Sequence, residues 1–118
     1  MDNAFIEKMK NLLLEQKREI MNTISDSNEQ LKTVLSEMDP KDSADIASDD
    51  IDRIMIEALS SQDLKRFRAI EAALVRISQG RYGICAKCGK RIPPERLEAI
   101  PYAVLCVECQ KTDERKNR

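Results

Sequence analysis

The residues of this chain best suited to chemistry are its four cysteines, and they come in two pairs. Cys85-x2-Cys88 and Cys106-x2-Cys109 are separated by 17 residues. Two C-x2-C pairs at such a spacing suit one tetrahedral ion, because each pair can fold into a tight knuckle whose amides face the thiolates. Gly89, directly after Cys88, suits the turn of the first knuckle. Histidine is absent, so the predicted site is all-cysteine and closed, with no open position for water. Such a site holds Zn²⁺ for structure and not for catalysis. Lys87, Lys90 and Arg91 are close enough in sequence to offset the negative charge of four thiolates on one Zn²⁺. Two other uses of cysteine compete with this one. Disulfides need an oxidising compartment, and a redox C-x2-C needs one reactive pair, not two matched ones.

The second chemical feature is acidic. Residues 39–52 hold six aspartates, Asp39, Asp42, Asp45, Asp49, Asp50 and Asp52, and Lys41 is the only base among them. Asp42 is placed to N-cap a helix, and Asp45 then falls at N3, where a carboxylate favours the helix dipole. Capping accounts for Asp42-x-x-Asp45 but not for six acids together. The run is therefore either a solvated turn or a surface meant for a partner. The surrounding charge is uneven. The chain carries −1 overall, as −2 over residues 1–37, −6 over 38–63 and +7 over 64–118, counted from the sequence.

The elements that must position these residues are helical. Residues 2–38 contain neither Gly nor Pro. Ile6, Leu13, Ile20, Ser27 and Val34 recur every seven residues, and Ile24, Leu31 and Met38 form a second series four residues on, which together make a heptad seam. Lys10 and Lys17 interrupt the second series, leaving Met9 and Gln16 to share the contact there. Asp39-Pro40 ends the first helix. A second helix is expected from the end of DPKDSADIAS to Gln79, with Gly80 as its stop. Its seam is Ile51, Met55, Ala58, Phe67, Ile70, Leu74 and Ile77. The chain thus predicts a mostly α fold, with residues 1–79 as a long antiparallel coiled-coil hairpin and an acidic tip at about residues 39–48. Residues 80–118 form a small four-cysteine zinc-finger module with a C-terminal helix. With the turn near residues 43–44, SDSN (25–28) meets SSQD (60–63) as a polar belt, which either fixes the register or marks a bending point. A dimerising coiled coil is the plainer alternative. Between the cysteine pairs, Pro93-Pro94-Glu95-Arg96-Leu97-Glu98-Ala99 reads as a short helix started by proline.

Composition excludes much else. Aromatics make up 3 % of the 118 residues and there is no Trp, which disfavours sandwiches, barrels and doubly wound sheets. Without His, triad hydrolases are excluded, and no phosphate-binding glycine motif is present, so no enzymatic activity is expected. No apolar run approaches the length of a membrane span, and the N-terminus does not read as a signal peptide. The expectation is a soluble, cytoplasmic protein.

The run GRYGICAKCGKRIPPERLEAIPYAVLCVECQ resembles the zinc-finger signature of the DksA/TraR family of transcription factors. It meets the pattern G-x-Y-G-x-C-x-x-C-G-x-x-I-x-x-x-R-L-E-A-x-P, followed by C-x-x-C. The family also carries D-x-x-D-x-A at the tip of its hairpin, matched here by Asp42, Asp45 and Ala47. The resemblance covers about residues 39–110. It implies a monomer that binds RNA polymerase directly rather than a specific DNA sequence. Its hairpin would enter the secondary channel, placing Asp42, Asp45 and Ala47 near the active centre to alter open-complex stability. A narrow acidic rod suits a pore that admits nucleotides and would be repelled by duplex phosphates. Family members that respond to the alarmone (p)ppGpp in the stringent response carry basic residues on the second helix and zinc module. Lys65 matches one such position, whereas Ala69, Ile100 and Gln110 depart from the pattern, with Arg66 and Arg68 nearby. The rival functions are a secondary-channel transcript-cleavage factor and a zinc or thiol redox sensor.

Overall fold

The computed structural model describes residues 2–38 and 49–116. Among them six helices follow one another: α1 (Asn3–Ser25), α2 (Glu29–Ser36), α3 (Asp49–Ala58), α4 (Ser61–Ser78), α5 (Pro94–Ala99) and α6 (Val107–Lys116). The mostly α expectation holds. Among the described residues β pairing is limited to an isolated antiparallel bridge between Ile84 and Arg91. No helix there is long and apolar enough to cross a membrane. The predicted tip, with Asp42, Asp45 and Ala47, lies outside the described residues.

The two long helices expected from the sequence are each broken in two, and the breaks fall at the polar belt. SDSN ends α1, and Asn28 begins α2: its backbone is extended, and its side-chain Oδ1 accepts from the Leu31 amide at 2.9 Å. Leu59 and Ser60 separate α3 from α4, whose first turn holds the rest of SSQD, and the Ser60 hydroxyl oxygen accepts from the Asp63 amide at 3.2 Å. Both caps satisfy an N3 amide that a continuous helix would have bonded internally. The belt is thus a pair of helix boundaries.

Contacts divide the chain into two compact units, one of residues Leu14–Glu71 and one of Met1–Leu13 with Ala72–Arg118. In the first, one apolar cluster gathers Met21 of α1, Leu31 of α2, Ile51, Ile54 and Met55 of α3 and Phe67 of α4, each at most 3 % exposed. Ile20, Ile24, Val34 and Leu59 pack around it. Such complete burial exceeds what two helices can give each other and needs several on all sides. Within this unit α1 and α4 run antiparallel in about the register expected: Lys17 pairs with Glu71 at 3.6 Å, and Ile24 and Asp63 line one groove. The departures lie in α3. The Asp52 carboxyl is within hydrogen-bonding reach of that of Glu71, although the two are 19 residues apart. A straight helix would separate them by about 28 Å. Helix α3 therefore doubles back beside α4. In keeping with this, Ile54 is buried and Ala58, expected on the seam, is exposed.

Lysine 17 fills a core position. Its side chain is 5 % exposed, and its ammonium lies 5.8 Å from the centre of the Phe67 ring. Met9 is buried as expected, but one heptad further on, where Gln16 was expected to share the contact, Lys17 itself is the buried residue. The ion pair with Glu71 and the ring face compensate its desolvation.

In the second unit α4 ends in a Schellman motif. The Arg81 amide donates to the Arg76 carbonyl (2.8 Å) and the Gly80 amide to the Ile77 carbonyl (3.1 Å), with Gly80 at φ +71°. This confirms Gly80 as the predicted stop. A Cβ there would meet nothing within 4 Å, so the cost of Gly80→Ala is backbone strain alone. That cost should be about 1–2 kcal/mol, read as a lower midpoint in denaturant with zinc content unchanged.

Candidate metal centre

The cysteine cluster is assembled by backbone hydrogen bonds that follow directly from the Schellman turn. Beyond Gly80 the chain forms a knuckle in which the Cys85 amide donates to the Lys90 carbonyl (2.8 Å) and the Ile92 amide to the Gly83 carbonyl (2.7 Å). The Gly89 amide closes the turn on the Cys85 carbonyl at 3.1 Å, with Gly89 at φ +76°. This is the turn role expected of Gly89. The second pair is brought alongside when the Ala86 amide donates to the Val104 carbonyl at 2.8 Å. Cys109 then follows in the first turn of α6. The short helix α5 starts on Pro94, as predicted, and buries Leu97.

Around this frame a few side-chain contacts fix the module. The buried Tyr82 hydroxyl donates to the Pro101 carbonyl at 2.7 Å, and burial pushes the phenol up to about 12. Arg96 Nε donates to the Leu105 carbonyl at 3.2 Å, just ahead of Cys106. Arg76 of α4 reaches across the turn to the carbonyls of Arg81 and Ile84, tying the helix to the residue before Cys85. Lys87 pairs with Asp113 of α6, so the lysine expected to offset the thiolates also staples the two knuckles. Nothing in the sequence marked Arg76 or Asp113, because neither lies at a recurring spacing from the cysteines. Tyr82→Phe should cost about 1–3 kcal/mol, since it leaves the Pro101 carbonyl without its partner in a dry setting. Thermal unfolding of the zinc-loaded protein measures this.

The sulfurs of Cys85, Cys88, Cys106 and Cys109 all lie within 4.8 Å of one another. Cys88 and Cys106 are 3.7 Å apart, close to the edge of a tetrahedron built on a Zn–S bond of about 2.3 Å and far too long for a disulfide, about 2.05 Å. All four are free thiols. Burial opposes the Cys85 thiolate, but hydrogen bonds from the backbones of Cys88, Cys106 and Lys87 together outweigh it and hold the thiol at about 6. Cys109 is pushed up to about 12 by the sulfurs of Cys106 and Cys85 and by burial. Four sulfurs so close cannot all ionise without a cation among them. The donor set, its softness and its spacing fit Zn²⁺, and no donor other than sulfur stands in the cluster.

Lys65, the residue singled out for (p)ppGpp, is exposed on α4, as are Arg66 and Arg68.

Residues 80–115 match the family model described as "Prokaryotic dksA/traR C4-type zinc finger". The chain is 34 % identical over 118 residues to an uncharacterized protein of Aquifex aeolicus, covering 99 % of this chain and 81 % of that one. It is 34 % identical over 119 residues to the RNA polymerase-binding transcription factor DksA of Caulobacter vibrioides, covering 100 % of this chain and 82 % of the other. Among solved structures, the transcription factor DksA2 from Pseudomonas aeruginosa superposes with a TM-score of 0.64 at 28 % identity, over 100 % of this chain and 89 % of that one.

Proposed function

Because the chain belongs to the DksA/TraR family of zinc-finger transcription factors, we propose that it regulates transcription by binding RNA polymerase directly. The family is one of transcription factors and not of enzymes. What carries the reading is the match, over 100 % of this chain and 82 % of the other, to a relative named as RNA polymerase-binding. The arrangement of charge is in keeping with it. Six aspartates fall within residues 39–52, and the basic residues are gathered in the C-terminal half.

In this reading Cys85, Cys88, Cys106 and Cys109 hold one structural Zn²⁺ that supports the base of the hairpin. Asp42, Asp45 and Ala47 at the hairpin tip enter the secondary channel and act near the active centre, altering open-complex stability at initiation. Lys65 is the one candidate contact to (p)ppGpp at the interface with polymerase. The protein acts as a cytoplasmic monomer with no sequence-specific DNA contact, because the segment that approaches the catalytic region is acidic and duplex phosphates repel it.

Size-exclusion chromatography with core polymerase tests the partner. The zinc-loaded chain is expected to co-elute with the enzyme and to leave promoter duplexes unshifted in gels at physiological salt. A tight sequence-specific duplex complex, with no association with polymerase, would overturn the reading.

A further inference from the structure

The antiparallel bridge beside the cysteine cluster has one covered edge and one open edge. Ile84 and Arg91 face each other across it, and the bonds that hold them together come from their neighbours, Cys85 to Lys90 and Ile92 to Gly83. In a pair of this kind each residue's own amide and carbonyl point away from the other residue, and the two side chains share a face. On the Ile84 side these groups are taken: its amide donates to the Arg81 carbonyl at 3.3 Å, and its carbonyl accepts from Arg76. On the Arg91 side neither the amide nor the carbonyl has a hydrogen-bond partner among the described residues, and Arg91 is exposed. Extended backbone with free polar groups is a template for another chain.

The open edge is one residue long. Gly89 spends its amide on the Cys85 carbonyl, and the Pro93 carbonyl already accepts from Arg96 and Leu97. Proline has no N–H to offer. Bonds to Arg91 alone would hold a partner weakly, so an occupant needs a second anchor. One lies alongside. A groove of about 350 Å³ is lined by Asp2 and Phe5, around the start of α1, and by Arg91, Ile92, Pro93 and Pro94. All six belong to the unit of Met1–Leu13 with Ala72–Arg118. Phe5, Ile92 and the two prolines give the groove apolar walls. Its one acid, Asp2, is turned to its own helix, where Oδ1 accepts from the Ala4 amide at 3.1 Å. Its one base, Arg91, makes no ion pair among the described residues.

We propose that the free edge at Arg91 and the groove beside it are a docking site for an extended segment of a partner protein, in which an acidic residue stands between two apolar ones. The segment exchanges both main-chain bonds with Arg91. Its acidic side chain then falls opposite the Arg91 guanidinium, as a cross-strand pair of opposite charge. Side chains alternate along an extended chain, so the apolar neighbours turn to the other face, where Ile92 and the groove receive them. Main-chain pairing sets the register, and the groove selects the side chains. A helical partner cannot use the edge, because its own backbone groups are bonded internally. A basic segment is repelled by Arg91.

Amide spectra of the full zinc-loaded chain, titrated with acetyl-Val-Leu-Asp-Leu-Val-amide, test the site. The Arg91 amide proton is expected to move downfield and saturate, with Phe5 and Ile92 shifting in step. The same peptide carrying Lys at its centre, or a methyl group on the central amide nitrogen, should each bind about tenfold more weakly, the first through charge and the second through a lost main-chain bond. Arg91→Ala should abolish the preference for Asp over Lys while keeping the penalty of N-methylation. Phe5→Ala should weaken every peptide, and the N-methyl comparison on the unaltered protein serves if that variant fails to fold. No saturable shift at millimolar peptide overturns the proposal, as does equal binding of the N-methylated peptide. Arg91 shifts that follow protein concentration without peptide would assign the edge to a second copy of the chain, and equal shifts with inorganic phosphate would make it an anion site. Either result overturns the proposal. No polymerase is present, so the outcome is independent of the polymerase reading.

Discussion

Stripping the metal with a chelator is expected to melt residues 80–116 while the helices of residues 14–71 stay folded. The module has little else to hold it. Its buried side chains are few, Tyr82, Cys85, Ile92 and Leu97 among them, and its backbone contacts converge on the two knuckles. Structural zinc supplies about 10–16 kcal/mol of apparent folding energy in small sites, more than a module of this size can replace. Cys85→Ser should have the same effect, because Cys85 is the most buried of the four at 2 % exposure. Amide spectra with and without chelator measure it. The Lys87–Asp113 pair and the Tyr82 bond to Pro101 should be lost along with the metal, whereas the Lys17–Glu71 pair should remain. Zinc-free protein with an intact C-terminal module would refute the closed-site assignment.

Replacing both Asp42 and Asp45 by Asn should abolish the effect on transcription while leaving fold, zinc and most polymerase binding in place. If these aspartates only begin a helix, the double variant should be nearly silent. Asn caps about as well as Asp, and the lost charge–dipole interaction is about 0.3–1 kcal/mol at an exposed end. A charge that meets the polymerase active centre cannot be replaced so cheaply. Asp45→Asn should carry most of the loss, and Asp42→Asn should be milder if Asp42 is engaged as the cap. Ala47→Thr should impair activity through bulk at the tip. Single-round transcription from a promoter with a short-lived open complex, at saturating protein, is the measurement. Full activity of the double variant would leave the cap reading standing.

The sequence alone determined the metal centre. Two C-x2-C pairs without histidine leave one geometry for a soft ion, and the knuckle that displays the first two sulfurs is local, closed by bonds between near neighbours such as Cys85 and Lys90. Helix ends were legible for the same reason. Gly80 is needed for a left-handed residue and Pro94 lacks an amide that the first turn would not use, so each acts wherever the rest of the chain goes. Asp42 and Asp45 were equally plain as a pattern, and the role expected of them came from a family resemblance and not from their own chemistry.

The tertiary structure decided what the arms do. Heptad spacing at i, i+3 and i+4 supplies an apolar stripe that can face one partner helix or several. Ile51, Met55 and Phe67 satisfy a straight hairpin and a doubled-back one alike. The polar coincidence at 25–28 and 60–63 showed where the arms could bend, but only the packing fixed that Ile54 and not Ala58 is buried, and that Asp52 meets Glu71. Lys17 read as a flaw in the seam. It is buried because a carboxyl and an aromatic face distant in sequence reach it together, and compensation of that kind exists only once the helices have come together.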